Sequence, residues 1–114
     1  MKITKFEDIK GWIKAKELTL LIYKIFKSSN DFSFRDQIQR ASISIMNNIA
    51  EGFERQTDKE FKQFLYIAKG SAAEVRSMLY VAIELNMINE TEFKRLHDLA
   101  SETSKILSGL IKTL

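Results

Sequence analysis

The sequence predicts an all-α protein, an up-down-up-down four-helix bundle formed as a single domain by residues 1–114. Apolar residues recur every three to four positions through most of the chain, and no segment alternates apolar and polar residues for long. The chain has no proline and only four glycines, so few residues interrupt a helix. Short polar clusters separate the periodic segments, and long helices joined by short loops must fold back on their neighbours.

The first helix is predicted over residues 7–28, and the second over about 33–55. The polar cluster SSNDFS at 28–33 between them is predicted as a loop, in which Asp31 or Ser33 can cap the second helix by accepting a backbone hydrogen bond. An apolar or small-residue stripe is expected to face the core from each helix. In the first it contains Trp12, Ala15, Thr19, Ile22 and Phe26, and in the second Phe34, Ile38, Ala41, Ile45, Ile49 and Gly52.

The third and fourth helices each follow a capping signal. In TDKE, at 57–60, Thr57 can accept a hydrogen bond at the helix start while Glu60 reaches back, which predicts a helix to about residue 86. In NMINETE, at 86–92, Asn89 or Thr91 can cap a helix over about 92–112. The core stripe of the third helix is predicted as Phe61, Leu65, Ala68, Ala72, Val75, Leu79 and Ala82. That of the fourth is Phe93, Leu96, Ala100, Thr103, Leu107, Leu110 and Leu114.

Composition excludes several classes of protein. The chain has no cysteine, so disulfides and thiolate metal sites are excluded. No apolar run approaches the roughly 18 residues that span a bilayer, and the first residues lack the apolar core of a signal peptide. We therefore expect a cytoplasmic protein without a membrane partner. The net charge is only +3, but residues 1–27 hold seven lysines against three acidic residues.

The sequence shows no arrangement of residues that is typical of an enzyme active site. The single histidine, His97, has Lys94 three residues before it, which does not match the Glu-x-x-His elements of di-iron bundles. Arg95 lies too close to His97 for the arginine–histidine spacing of helical ribonuclease toxins. We interpret His97 as a surface or boundary residue, and we predict no catalytic site, metal, cofactor or small-molecule substrate.

The second helix carries a polar row beside its core stripe. Residues 40–55, RASISIMNNIAEGFER, use several weak helix formers, which a solvated face has no reason to prefer over lysine and glutamate. A solvated face with local pairs such as Glu51–Arg55 is one interpretation. Hydrogen bonding to a facing helix, within the chain or across an interface, explains the choice better. The candidate interface residues are Arg40, Ser44, Asn48, Glu51, Gly52 and Arg55. We expect another helix to come close to Gly52.

Basic residues share a face with aromatic residues on the third helix. This row contains Lys62, Tyr66, Lys69, Ala73, Arg76 and Tyr80. Cations interleaved with aromatic rings suit a phosphate backbone with stacked bases, although a solvated face with partly covered tyrosines fits as well. A second candidate basic strip, on the first helix, contains Lys10, Lys14 and Lys24.

Two helices have more apolar surface than one bundle core needs. On the third helix the additional residues are Phe64, Ile67, Met78, Val81 and Leu85, and on the first they lie within LTLLIYKIF, at 18–26. A monomer would expose part of this surface, so we expect a homo-oligomer.

Two segments resemble a known family. SISIMNNIAEGFER, at 42–55, resembles its Asn-Ile-Ala-Glu-Gly motif, with RDQIQRAS at 35–42 leading into it. KEFKQFLYIAKGSAAEVRSML, at 59–79, resembles its Glu-Phe-x-x-Phe-Leu-x-Ile-Ala-x-Gly-Ser-x-x-Glu motif. This is the 23S ribosomal RNA intervening-sequence protein family of four-helix-bundle proteins, which is similar to the accessory proteins of diversity-generating retroelements. The matching residues are Ser44, Asn48, Glu51 and Gly52 in the first motif, and Glu60, Phe61, Phe64, Leu65, Gly70, Ser71 and Glu74 in the second.

The resemblance implies a four-helix bundle that assembles into a ring-like homopentamer. The retroelement relatives bind nucleic acid and a reverse transcriptase through basic surfaces, whereas the intervening-sequence members have no established activity. Our leading hypothesis is a non-enzymatic oligomer that binds RNA or a ribonucleoprotein through its basic helix faces. The alternative is an oligomeric protein-binding scaffold without nucleic-acid contact.

Overall fold

The structure, a computed structural model, describes residues 3–114 and confirms the four-helix bundle. A short 3-10 turn at Phe6–Asp8 precedes four helices: α1 (Lys10–Phe26), α2 (Phe32–Phe53), α3 (Asp58–Glu84) and α4 (Glu90–Lys112). Each helix packs on the next one in the chain, and α4 returns to pack on α1. The bundle measures 43 × 22 × 19 Å, and the described residues contain no strand.

The first and third helices are shorter than predicted. Ile9 has extended dihedral angles (φ −72°, ψ 121°) and is only 2% exposed, so burial of this side chain separates the 3-10 turn from α1. At the end of α3, Asn86 adopts φ 58°, which stops the helix before residue 86. The backbone N–H groups of Asn86 and Met87 then donate to the carbonyls of Ile83 and Ala82, at 3.1 and 2.9 Å. This is a Schellman motif, in which asparagine takes the place usually occupied by glycine.

Side-chain caps fix the starts of the last three helices. Asp31, and not Ser33, caps α2 by accepting from the backbone N–H of Phe34 at 3.0 Å. Asn89, and not Thr91, caps α4 in a complete capping box with Glu92. At α3 the hydroxyl of Thr57 accepts from the backbone N–H of Glu60 and donates to its carboxylate, at 3.1 and 3.0 Å. Glu60 thus reaches back to Thr57 as predicted, and its partner there is the Thr57 hydroxyl.

The predicted stripes form the core. Every stripe residue of α3 is buried, and so are those of the other helices except five half-buried residues: Trp12, Phe34, Phe93, Leu110 and Leu114. The core also contains Ile9, Leu18, Ile88, Leu99 and Ile111, which the stripes did not include. The hydroxyl of the buried Thr19 lies 2.8 Å from the carbonyl of Ala15 and 3.1 Å from that of Ser42, which links α1 to α2.

Helix α3 packs closely against α2 at Gly52. A Cβ atom at this position would lie 2.5 Å from the Cβ of Phe64 and 3.1 Å from Cδ1 of Phe61. No carbon atom fits at the first of these distances, so only glycine allows the first turns of α3 to pack here. The expectation that another helix comes close to Gly52 is confirmed, and that helix is α3 of the same chain.

We predict that Gly52→Ala lowers the free energy of unfolding by about 1–3 kcal/mol, because the added methyl group overpacks the contact with Phe64. The matched control is Gly109→Ala on α4, where an added Cβ meets no atom within 4 Å. That change should stabilise the protein by up to about 1 kcal/mol through helix propensity. Urea unfolding of both variants measures the difference, and equal effects of the two substitutions would contradict the close approach.

Candidate nucleic-acid interface

The polar row of α2 meets α3 of the same chain. The hydroxyl of Ser71 donates to the hydroxyl oxygen of Ser44 at 3.0 Å. The side-chain amide of Asn48 donates to the backbone carbonyl of Ser44 at 2.8 Å. The same amide nitrogen lies 3.0 Å from the hydroxyl oxygen of Ser44. All three residues are half-buried. This group, here called the serine seam, binds the middle of α2 to the middle of α3.

The remaining candidate interface residues lie around the serine seam. Glu51 and Arg55 form an exposed ion pair at 3.3 Å, and the Arg55 guanidinium lies 4.8 Å from the ring centroid of Phe64. Arg40 is exposed. Within the described chain only Ser44 of this row thus hydrogen-bonds to a facing helix, whereas the partners of Asn48 and Glu51 lie in the same segment of the chain, at Ser44 and Arg55. A further role of these residues between subunits stays a prediction.

The cations of α3 lie on the opposite side of that helix, toward α4. Lys62, Lys69 and Arg76 are half-buried, and none of them forms a salt bridge within residues 3–114. Tyr66 and Tyr80 accompany them and are 56% and 51% exposed. Free cations beside accessible aromatic rings are the combination that binds single-stranded nucleic acid.

The three lysines predicted on the first helix have different surroundings. Lys14 lies 3.8 Å from Glu17 and 3.7 Å from Glu102, so carboxylates already compensate its charge. Lys10 and Lys24 are exposed at opposite ends of α1. The structure therefore does not favour one continuous strip of free cations on α1.

A basic cluster lies between the end of α1 and the start of α2, and the sequence did not predict it. Lys24 lines a surface cavity of about 540 Å³ together with Tyr23, Lys27, Arg35 and Gln39. Arg35 is partly compensated, since its guanidinium pairs with Asp36 at 3.0 Å. A loop separates Lys27 from Arg35 in the chain, so helical spacing gave no signal for this cluster.

Exposed apolar side chains occur on α1 and α3. Of the additional apolar residues predicted on α3, Phe64 and Met78 are half-buried, whereas Ile67, Val81 and Leu85 are 53%, 46% and 62% exposed. On α1 the most exposed apolar side chain is Leu20, at 62%. Within the described part of the chain this surface has no covering element.

Within residues 3–114, no group of three or more histidine, cysteine, aspartate or glutamate side chains could hold a metal ion. None of the helices in the described part of the chain is both long and apolar enough to cross a membrane.

Comparisons with known proteins identify the family. The family model described as 23S rRNA-intervening sequence protein matches residues 7–109. A crystal structure of a protein of unknown function from the S23 ribosomal protein family of Bacteroides thetaiotaomicron is similar, with a TM-score of 0.84 and 27% sequence identity. The similarity covers 90% of this chain and 98% of that one. No curated protein matches the chain. The chain belongs to the 23S rRNA-intervening sequence protein family.

Proposed function

We propose that this protein is a non-enzymatic, cytoplasmic homo-oligomer that binds RNA, alone or within a ribonucleoprotein, through the basic face of α3. The observation that carries the proposal is the row of three cations without salt bridges, Lys62, Lys69 and Arg76, beside two exposed tyrosines. The family name, which refers to 23S rRNA, supports RNA as the nucleic acid.

The chemistry of this face suits RNA with unpaired bases. Ammonium and guanidinium groups bind phosphates, and the exposed rings of Tyr66 and Tyr80 offer surfaces on which bases stack. Neither kind of contact distinguishes one base from another strongly. Binding should therefore depend steeply on salt and only weakly on sequence.

Self-association would account for a helical glycine and for exposed apolar side chains on α3 that have no partner within one described chain. Gly70 lies in the middle of α3, is exposed, and has no atom within 4 Å of where a Cβ would be. Glycine inside a helix costs about 1 kcal/mol relative to alanine, and no contact within the chain compensates for it. The exposed Ile67 and Val81 lie on the same outer side of α3. A second copy that packs there would use the space at Gly70 and cover the apolar side chains.

An oligomer would also have a stronger positive field for binding RNA than one chain has. One chain has a net charge of only +3, but a ring repeats the basic face of α3 around its axis and adds the fields of its subunits. Five subunits are favoured by the family resemblance alone.

The second candidate function is an oligomeric scaffold that binds proteins only. The exposed apolar side chains of α1, such as Leu20 at 62% exposure, favour it because a subunit contact on α3 would leave them free for another protein.

The first prediction from this proposal concerns assembly. Light scattering after size exclusion at micromolar concentration should give a mass that is a multiple of the 13.2 kDa chain. Gly70→Glu should reduce that mass, because it places a charge and added volume in the proposed contact, while Gly109→Glu on α4 serves as the control. A wild-type mass of one chain would refute self-association.

The second prediction concerns RNA. Reversing Lys62, Lys69 and Arg76 to Glu should lower affinity for a structured RNA with single-stranded loops at least about tenfold. It should also reduce the slope of log K against log salt by about 2, since three phosphate contacts are lost. Fluorescence anisotropy at low and physiological salt measures both quantities.

A charge-matched control is available on α4. Arg95, Lys105 and Lys112 are exposed, and reversing all three to Glu changes the net charge by the same amount away from the α3 face. The control should retain most of the affinity. If the α3 triple variant binds RNA as tightly as the α4 triple variant, the α3 face is not an RNA site. The same conclusion follows if wild type does not bind RNA at low salt, and the protein-binding scaffold then becomes the better account.

A further inference from the structure

A polar pocket lies between α3 and α4, at one end of the basic face. Its lining residues are Ala73, Arg76, Ser77, Tyr80 and His97, and its volume is about 490 Å³. The lining contains a guanidinium, two hydroxyl groups and an imidazole, but no carboxylate. Every polar side chain in this α3–α4 pocket can therefore donate a hydrogen bond to an anion.

Contacts on two sides hold the imidazole of His97 in place. Its Nε2 atom lies 3.1 Å from the Tyr80 hydroxyl, which comes from α3. Its ring stacks on Phe93 of its own helix, with centroids 5.4 Å apart and an interplanar angle of 23°. The ring of Tyr80 meets it edge-on at the same centroid distance of 5.4 Å. A half-buried histidine with this packing has a defined orientation toward the pocket.

The charged groups around His97 are not all cationic. From α3 it faces Arg76 and the hydroxyl of Tyr80. On α4 a neighbouring cavity contains Glu90, Lys94 and Asp98 beside His97, and Lys94 pairs with Asp98 at 3.2 Å. The ion pair of α1 with α4, Lys14–Glu102, lies on the other edge of α4. Negative charge thus lies outside the α3–α4 pocket and is partly compensated there.

We propose that the α3–α4 pocket binds a phosphodiester group of RNA through Arg76, Ser77 and Tyr80, and that His97 is a positioning residue that acts through the Tyr80 hydroxyl and through its own charge. This inference rests on the proposed function, since it assigns a specific phosphate subsite to the basic face of α3. It also gives a role at this site to His97, for which the sequence predicted only a surface or boundary position.

Protonation of His97 changes what the pocket offers a phosphate. A neutral imidazole can accept the Tyr80 hydroxyl proton at Nε2, and that proton is then not available to a ligand. An imidazolium donates from Nε2 to the Tyr80 oxygen, so the hydroxyl proton can turn toward the phosphate. The same step adds one positive charge beside Arg76. The pocket with a protonated His97 should therefore bind RNA more tightly than the pocket with a neutral His97.

The experiment is an RNA titration at pH 5.5 and 7.0 at constant ionic strength. The RNA carries 5′- and 3′-hydroxyl ends, so that no terminal phosphate titrates. His97 is the only histidine of the chain, so a pH dependence that His97→Gln abolishes is assigned to this imidazole. Wild type should bind several-fold more tightly at pH 5.5, because one charge-assisted hydrogen bond is worth about tenfold in affinity and only part of that gain falls within this interval. His97→Gln should bind with similar affinity at both pH values.

The control variant is Lys105→Gln, at an exposed position of α4 outside the pocket. It should change affinity equally at both pH values and keep the pH dependence of wild type. If wild type binds RNA without pH dependence, or if His97→Gln retains the dependence, the inference is overturned while RNA binding itself stands. If wild type binds RNA at neither pH, the proposed function fails and RNA is excluded as the occupant.

A second measurement tests the pocket without RNA. The single histidine gives one set of imidazole NMR signals, and sulfate is an anion whose charge does not change in this pH range. At pH 5.5 sulfate should shift these signals saturably in wild type and several-fold less in Arg76→Gln. Absence of a saturable shift, or an equal shift in Arg76→Gln, overturns the α3–α4 pocket as an anion site.

Discussion

The contact between α2 and α3 is the constraint on which the rest of the structure depends. At one end Gly52 leaves no room for a side chain, so the start of α3 packs against the backbone of α2. About two helical turns further along, the serine seam joins the two helices by a hydrogen bond of 3.0 Å between Ser71 and Ser44. Two contacts this far apart fix both the distance and the rotation of α3. Residues of both sequence motifs of the family supply these contacts, so we infer that the motifs specify helix packing inside one subunit.

The rotation of α3 determines which side chains are available for binding. Because Phe64 and Ser71 turn toward α2, the row of Lys62, Lys69 and Arg76 turns to the opposite edge, beside α4. There Tyr80 reaches His97 across the helix boundary at 3.1 Å. The outer side of α3 keeps Gly70 and exposed apolar residues, which we assign to contact between subunits. Packing within the chain thus uses one side of α3, and the RNA and subunit contacts that we propose use two others.

Local signals account for what the sequence could predict. Helical periodicity and capping residues act over a few positions, so the four helices, the cap at Thr57 and most of the core followed from spacing, whereas the choice between Asn89 and Thr91 did not. The start of α1 was misplaced, because the break at Ile9 depends on burial against other helices. A helical glycine predicts a close neighbour but does not say which helix supplies it. The pairing of His97 with Tyr80 depends on the rotation of two helices, which no sequence spacing encodes.

The account is tested most directly by a double-mutant cycle on Ser44→Ala and Ser71→Ala. The free energy of unfolding of wild type, both single variants and the double variant is measured in urea at one chain concentration, because assembly makes stability depend on concentration. If the serine seam binds α2 to α3 within the subunit, the two substitutions couple by about 0.5–1.5 kcal/mol. Effects that add to within about 0.3 kcal/mol would contradict the account, because the two hydroxyls would then contribute to stability independently.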